Sequence, residues 1–199
     1  LAVVCEELER VDSALRVVLS VHTGLNSLSL LQWGTEEQKQ KYLKPQAEGT
    51  KFAGYCLTEP NSGTDAGAML ATARHDGDSY ILNGEKTWIS LADVADHFLV
   101  FAKTDPAQGN RGISCFIVER AFPGVSSHPI HGKLGVRAGN TGSVVLQDVR
   151  VPAANRLGEE GEGFKIAMSA LDNGRYTVAA GATGLIQAVD GLKSPHEVL

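Results

Sequence analysis

The feature that most constrains this chain is a double change of hydrophobic period. In the first fifty residues apolar side chains recur every three or four positions, at Leu1, Val4, Leu8, Val11, Leu15, Val18 and Leu19, with Glu6, Glu7, Glu9, Arg10 and Asp12 between them. That is the period of an amphipathic helix. From Thr50 the texture becomes short runs of β-branched and aromatic residues separated by turn residues, and from about Gly163 to Gln187 the helical period returns. The order predicts an α+β architecture: N-terminal helices, a central antiparallel β-barrel or sandwich, and the start of a C-terminal helical bundle, divided as 1–50, 51–157 and 158–199.

Within this frame, Gly24 breaks the first helix, a short apolar helix follows through Leu31, and Thr35 with Gln38 forms a capping-box pattern. Candidate strands are Phe52–Leu57, Leu70–His75, Ser79–Leu82, Thr87–Leu91, His97–Lys103, Gly112–Glu119, Val125–His128 and Ser143–Val149. Asp76-Gly77 and Asn83-Gly84 are hairpin or bulge signals because both residue types tolerate positive φ. The Ala and Gly content of the last helix predicts close helix packing.

Charge and cysteine usage exclude several classes. A net charge of -5 with eighteen scattered basic residues leaves no basic patch for nucleic acid. The longest apolar runs, such as Phe98–Ala102, fall far short of the roughly 20 residues of a membrane span, and no targeting signal is recognisable. Three widely spaced cysteines, Cys5, Cys56 and Cys115, fit neither a disulfide framework nor a metal site and suggest a reducing compartment. Leu1 enters directly into helical periodicity and the tail from Gly191 follows an interrupted helix, so the chain reads as incomplete.

Three polar constellations could carry chemistry. In Tyr55-Cys56-Leu57-Thr58-Glu59-Pro60-Asn61-Ser62-Gly63-Thr64-Asp65 a strand ends in a turn rich in hydroxyls and backbone N–H groups, able to bind an anion or an amide-rich ring edge; a capped surface loop explains it equally well. Trp88-Ile89-Ser90 sets an indole that can wall a flat cofactor near a hydroxyl, although core packing is the usual role of such a tryptophan. Asp172 and Arg175 share a helix face, as an ordinary ion pair or as an Arg over a cleft. The loop Gly158-Glu159-Glu160-Gly161-Glu162-Gly163 carries too many carboxylates to cradle phosphate, His128 and His131 flank a proline with no further ligand nearby, and Cys56 has no evident base; these are set aside.

Taken together and in order, these motifs, with Leu82-Asn83-Gly84-Glu85-Lys86-Thr87, Lys133-Leu134-Gly135-Val136-Arg137, Val149-Arg150-Val151-Pro152 and Phe164-Lys165-Ile166-Ala167-Met168, resemble the acyl-CoA dehydrogenase family from about Leu1 to Ala188. The resemblance implies FAD as cofactor, α,β-dehydrogenation of a fatty acyl-CoA as in β-oxidation, electron-transferring flavoprotein as electron acceptor, and homotetramers or homodimers. It places Tyr55, Leu57, Thr58, Trp88, Ile89 and Ser90 around the flavin, Gly63 and Thr64 near its phosphate, and Thr64, Asp172 and Arg175 along the acyl-CoA channel. The compartment it implies is bacterial cytoplasm or mitochondrial matrix. Thr64 and Ser90 stand where many members have Ser and Thr, which preserves the hydroxyls. Gly174 stands where some branches carry the catalytic Glu, so the chain is similar to the short- and medium-chain branches, whose base lies in a C-terminal domain, and no catalytic residue is expected here. An acyl-CoA oxidase of the same fold and a non-catalytic flavin- or acyl-binding module are the alternative readings. Residues 189–199 depart from the family pattern.

Overall fold

The computed structural model describes residues 1–191. The expectation for the tail beyond Gly191 lies outside them. Helix α1 (Ala2–Glu9) ends where Asp12 caps a second helix, its carboxylate accepting the Ala14 N–H at 2.7 Å. Helix α2 (Ser13–Trp33) then runs through Gly24 without a break and widens to a π-helix over Ser20–Ser27. The chain therefore breaks earlier than Gly24. Gly24 instead lets α2 lie close to the last helix, where an added Cβ would sit 3.9 Å from the Thr177 methyl. Helix α3 (residues 36–47) opens with the Thr35–Gln38 capping box, both halves of which form. Helix α4 (Gly163–Asp190) is the longest element.

By length and composition alone α2 could cross a bilayer, contrary to the sequence expectation. Serine, histidine and asparagine interrupt its apolar runs, which hid its overall hydrophobicity. In this fold the Ser20 hydroxyl donates to Thr177 Oγ1 at 2.9 Å and Asn26 Nδ2 to the Ala53 carbonyl at 3.3 Å, while Asn26 Oδ1 is buried without a partner among the described residues.

Eight strands follow: β1 (Ala53–Cys56), β2 (Thr72–Asp76), β3 (Ser79–Ser90), β4 (His97–Lys103), β5 (Ile113–Glu119), β6 (Val125–Pro129), β7 (Thr141–Pro152) and β8 (Arg156–Leu157). Their order is β6-β7-β3-β2-β4-β5-β8, with β1 added beside β4, and the sheet does not close. Five pairings are antiparallel as expected, but β1 and β2 both run parallel to β4. The two expected strands Ser79–Leu82 and Thr87–Leu91 are one strand, β3. Asp76-Gly77 opens a hairpin closed by the Asp76–Ser79 pair, whereas Asn83-Gly84 is an irregularity inside β3 where the β7 register shifts.

A single residue pair, Thr72 with Lys103, joins the β6-β7-β3-β2 half to the β4-β5-β8 half. Both halves send side chains into one core, Leu82 and Val144 from the first and Phe98 and Phe116 from the second, as in a sandwich. The opposite face of β1, β4 and β5 buries Tyr55, Leu99, Phe101 and Ile117 against Leu30 of α2 and Ile166, Ala167 and Ala170 of α4. Alternation along β4 assigns successive side chains to the two cores. The helices thus lie over the end of β1 and β3 where the candidate site residues sit.

Candidate cofactor and substrate site

Beyond Cys56, strand β1 gives way to the segment Leu57–Glu59, held by a buried ion pair. Lys86 Nζ donates to Glu59 Oε1 at 2.7 Å and to the Leu57 carbonyl at 3.2 Å, and the Glu59 carboxylate accepts the Leu70 and Ala71 N–H groups. Those two amides are drawn away from the sheet, so β2 begins at Thr72 rather than at Leu70. Desolvation pulls the Lys86 pKa down, opposed by the charge of Glu59. The Thr87 N–H donates to the Thr58 carbonyl at 2.9 Å, bringing β3 alongside the same segment.

Immediately after, β3 bulges. Its register with β7 slips between Lys86 and Ile89, and Trp88 takes a φ of 58°. A bulky residue rarely adopts that conformation without tertiary constraint. The bulge turns the indole outward, leaving Trp88 61% exposed, while Ile89 is buried. Gly54 lets β1 close on the end of β3: a Cβ there would lie 2.8 Å from the Phe98 ring and 3.3 Å from the Ser90 carbonyl.

Around this junction is a cavity of about 190 Å³ lined by Tyr55, Leu57, Thr58, Trp88, Ile89 and Ser90, with Val21 and Leu25 of α2 and Leu171 of α4. Six of the eight expected cofactor-binding residues thus meet. The Thr58 and Ser90 hydroxyls are half-buried and lack a protein partner among the described residues, so both can meet a ligand edge. Tyr55 is differently engaged: its hydroxyl donates to the Ala167 carbonyl at 3.3 Å, and burial pushes its pKa well up. Gly63 and Thr64 lie exposed on the following turn, away from this lining.

Val21, Leu25 and Leu171 also line an adjoining, mostly apolar cavity of about 490 Å³ that extends between α2 and α4 to Arg16, Ser20, Gly174, Arg175, Val178 and Ala179. Arg175 borders it, whereas Asp172 does not; the two form an exposed pair at 2.9 Å. Among the described residues, no carboxylate or histidine lines either cavity. Sequence reading missed Val21, Leu25 and Arg16, whose roles depend on where α2 docks. It also missed Asn26, which bonds the Val21 carbonyl at 2.9 Å inside the π-helical turn and the Ala53 carbonyl of β1, locking helix to strand.

His128 and His131 are exposed, and burial pushes the Cys56 thiol up to about 12. A third cavity, about 430 Å³, opens at the opposite end of β4, where Lys41 pairs with Glu119 at 2.8 Å and Lys51 with Asp96 at 2.7 Å.

Two family profiles match the chain: acyl-CoA dehydrogenase, N-terminal domain, over residues 1–50, and acyl-CoA dehydrogenase, middle domain, over residues 54–149. The short-chain specific acyl-CoA dehydrogenase of Clostridium acetobutylicum is 48% identical over 92% of this chain and 48% of its own length. Among solved structures, butyryl-CoA dehydrogenase from Megasphaera elsdenii superposes with a TM-score of 0.90 at 46% identity, covering 92% of this chain and 48% of that one. A glutaryl-coenzyme A dehydrogenase in complex with glutaryl-CoA superposes with a TM-score of 0.90 at 42% identity, covering 93% and 47%. The chain spans about half the length of the relatives it matches. With its N-terminal helices and its middle sheet each matched by a family profile and close relatives aligned over most of its length, the chain belongs to the acyl-CoA dehydrogenase family.

Proposed function

We propose that the protein binds FAD at the smaller cavity and an acyl-CoA thioester alongside it, as part of an enzyme that removes the α and β hydrogens of the acyl group. The observation that carries this reading is the convergence, on one hollow, of Trp88 with the Thr58 and Ser90 hydroxyls, which lack a protein partner among the described residues. A flat ring system with hydrogen-bonding edges fits such residues: the indole offers an aromatic wall, and the hydroxyls can donate to ring nitrogen or oxygen. When bound, the flavin would supply the acceptor for hydride leaving the β carbon.

The residues of the chain have narrower tasks. Trp88 screens the ring face from water, Ser90 and Thr58 fix its edge, and Val21, Leu25 and Leu171 keep the reacting end of the thioester dry. Gly63 and Thr64, on the exposed turn, approach the cofactor phosphate and acyl-CoA, and Arg175, held by its pair with Asp172, borders the thioester channel. The α proton needs a general base, and among the described residues the lining of the two cavities offers none; the base comes from elsewhere in the protein. Residues 1–50, 51–157 and 158–199 are the three structural units, the last opening a C-terminal helical domain. Electron-transferring flavoprotein is the proposed electron acceptor, a homotetramer or homodimer the proposed assembly, and bacterial cytoplasm or mitochondrial matrix the proposed compartment.

Flavin fluorescence titration of the chain against its Trp88→Ala variant tests the reading. Saturable quenching that weakens in the variant is expected; identical titrations, or none in either protein, would sink the cofactor assignment for this cavity.

A further inference from the structure

The third cavity, of about 430 Å³ at the other end of β4, has no task in the function proposed above. Its volume suits a small-molecule pocket. Two of its lining residues, Tyr42 and His97, are buried with their rings 5.1 Å apart, whereas Lys41 and Lys51 stand exposed at its mouth. Gln46 Nε2 donates to His97 Nε2 at 2.7 Å, so the neutral ring carries its proton on Nδ1. That Nδ1–H has no acceptor among the described residues, although His97 is only 3% exposed. Nor is it sealed in the core, because the fully buried side-chain atoms left without a partner are Asn26 Oδ1 and Trp33 Nε1. The donor opens into the cavity.

We propose that this cavity binds a small organic monocarboxylate, one oxygen accepting the His97 Nδ1–H and the other facing the lysine ammonium groups at the mouth. The lining carries three cations, Lys41, Lys51 and Arg120, against two carboxylates, Asp96 and Glu119, a formal surplus of 3 − 2 = +1. Both lysines are paired, but exposed pairs of this kind hold weakly and can share their cations with a second anion. Arg120 supplies the surplus: its hydrogen bonds go to the neutral Ala92 and Ala95 carbonyls and the Ser127 hydroxyl, and it reaches the Asp93 carboxylate through Ser127. A carboxylate matches that surplus; a phosphate monoester, with about two negative charges at neutral pH, overshoots it. The Tyr42 ring and Ala121 offer apolar wall to a compact body behind the carboxylate. Such a ligand touches α3 and the ends of β4 and β5 at once, tying helix to sheet.

The test titrates the full chain with benzoate, its neutral isostere benzamide and inorganic phosphate, following the His97 imidazole by heteronuclear NMR. Benzoate should shift the His97 ring signals saturably and bind at least about tenfold more tightly than either other probe, the usual worth of a charge-assisted hydrogen bond. His97→Phe removes the donor and should weaken benzoate by a similar factor. Two charge variants serve if His97→Phe fails to fold, with binding then read by calorimetry. Lys51→Gln removes a cation at the mouth and should weaken benzoate, whereas Asp96→Asn removes an anion, keeps an acceptor for the Phe52 N–H and should tighten it. A general loss of structure would not move the two in opposite directions. No saturable change at His97, benzamide or phosphate binding as tightly as benzoate, or both charge variants shifting affinity the same way overturns the proposal.

Discussion

Lys86 and Glu59 form a salt bridge of 2.7 Å with side chains 0% and 2% exposed, and it joins the two segments that carry the candidate site: Leu57–Glu59 on one side and the Trp88 bulge on the other. Glu59→Ala would leave an ammonium buried without its counterion and two backbone N–H groups without an acceptor. A loss of about 3–5 kcal/mol is expected, measured as a shift of the urea midpoint. Replacing both charges by Met and Leu should lose less than Glu59→Ala alone; equal losses would show that the pairing of the charges is not what matters.

Acid should loosen the contact between helices and sheet through His97. Burial is the main cause that lowers its pKa from 6.5 to about 4, with Asp96 and Glu119 opposing and His22 and Lys51 adding to it. Ser27 donates to Gln46 Oε1 at 2.6 Å, so the Gln46 amide nitrogen faces His97 Nε2 at 2.7 Å and the assigned ring is neutral, accepting there. Between pH 6.5 and about 4 the unfolded chain takes up a proton that the folded one refuses. Stability is therefore full above this window, falls as pH drops through it, and loses about 3 kcal/mol from this group. Thermal melts of His97→Gln across the window should show a shallower decline; an unchanged slope would assign the acid sensitivity elsewhere.

Two glycines should respond in opposite ways. At Gly184 a Cβ would fall 2.0 Å from the Glu6 carbonyl, so Gly184→Ala must push α1 off α4 and should destabilise by about 1–3 kcal/mol. At Gly63 nothing lies within 4 Å of an added Cβ. Gly63→Ala should melt like the unaltered protein yet bind FAD more weakly, because the proposed phosphate approach needs a bare backbone. Unchanged affinity would remove Gly63 from the site.

All three cysteines are buried, and desolvation raises the thiol pKa of Cys56 to about 12 and that of Cys115 further. The thiolate is the reactive form. Folded protein should resist a thiol-titrating reagent at mildly alkaline pH and release three equivalents in denaturant. Rapid labelling of any one of them in the folded state would contradict the packing described.

Local chemistry made much of this legible. The Thr35–Gln38 box, the Asp76-Gly77 hairpin and the long last helix depend on residues within a turn or two of each other, and each forms as expected. The gathering of Leu57, Thr58, Trp88 and Ser90 was read from a resemblance of motifs, since no local rule connects positions thirty residues apart. Gly24 misled because a glycine that breaks a helix and one that admits a neighbouring helix are identical in sequence.

The sequence by itself determined the order of helical and extended segments, because side-chain period is a property of neighbouring residues. The helix break at Asp12, the parallel placement of β1 and β2 on β4, the outward turn of Trp88 and the presence of Arg16 in an apolar cavity were decided only by the tertiary structure. Each depends on contacts between residues far apart in the chain, where packing and hydrogen-bond satisfaction outweigh local preference.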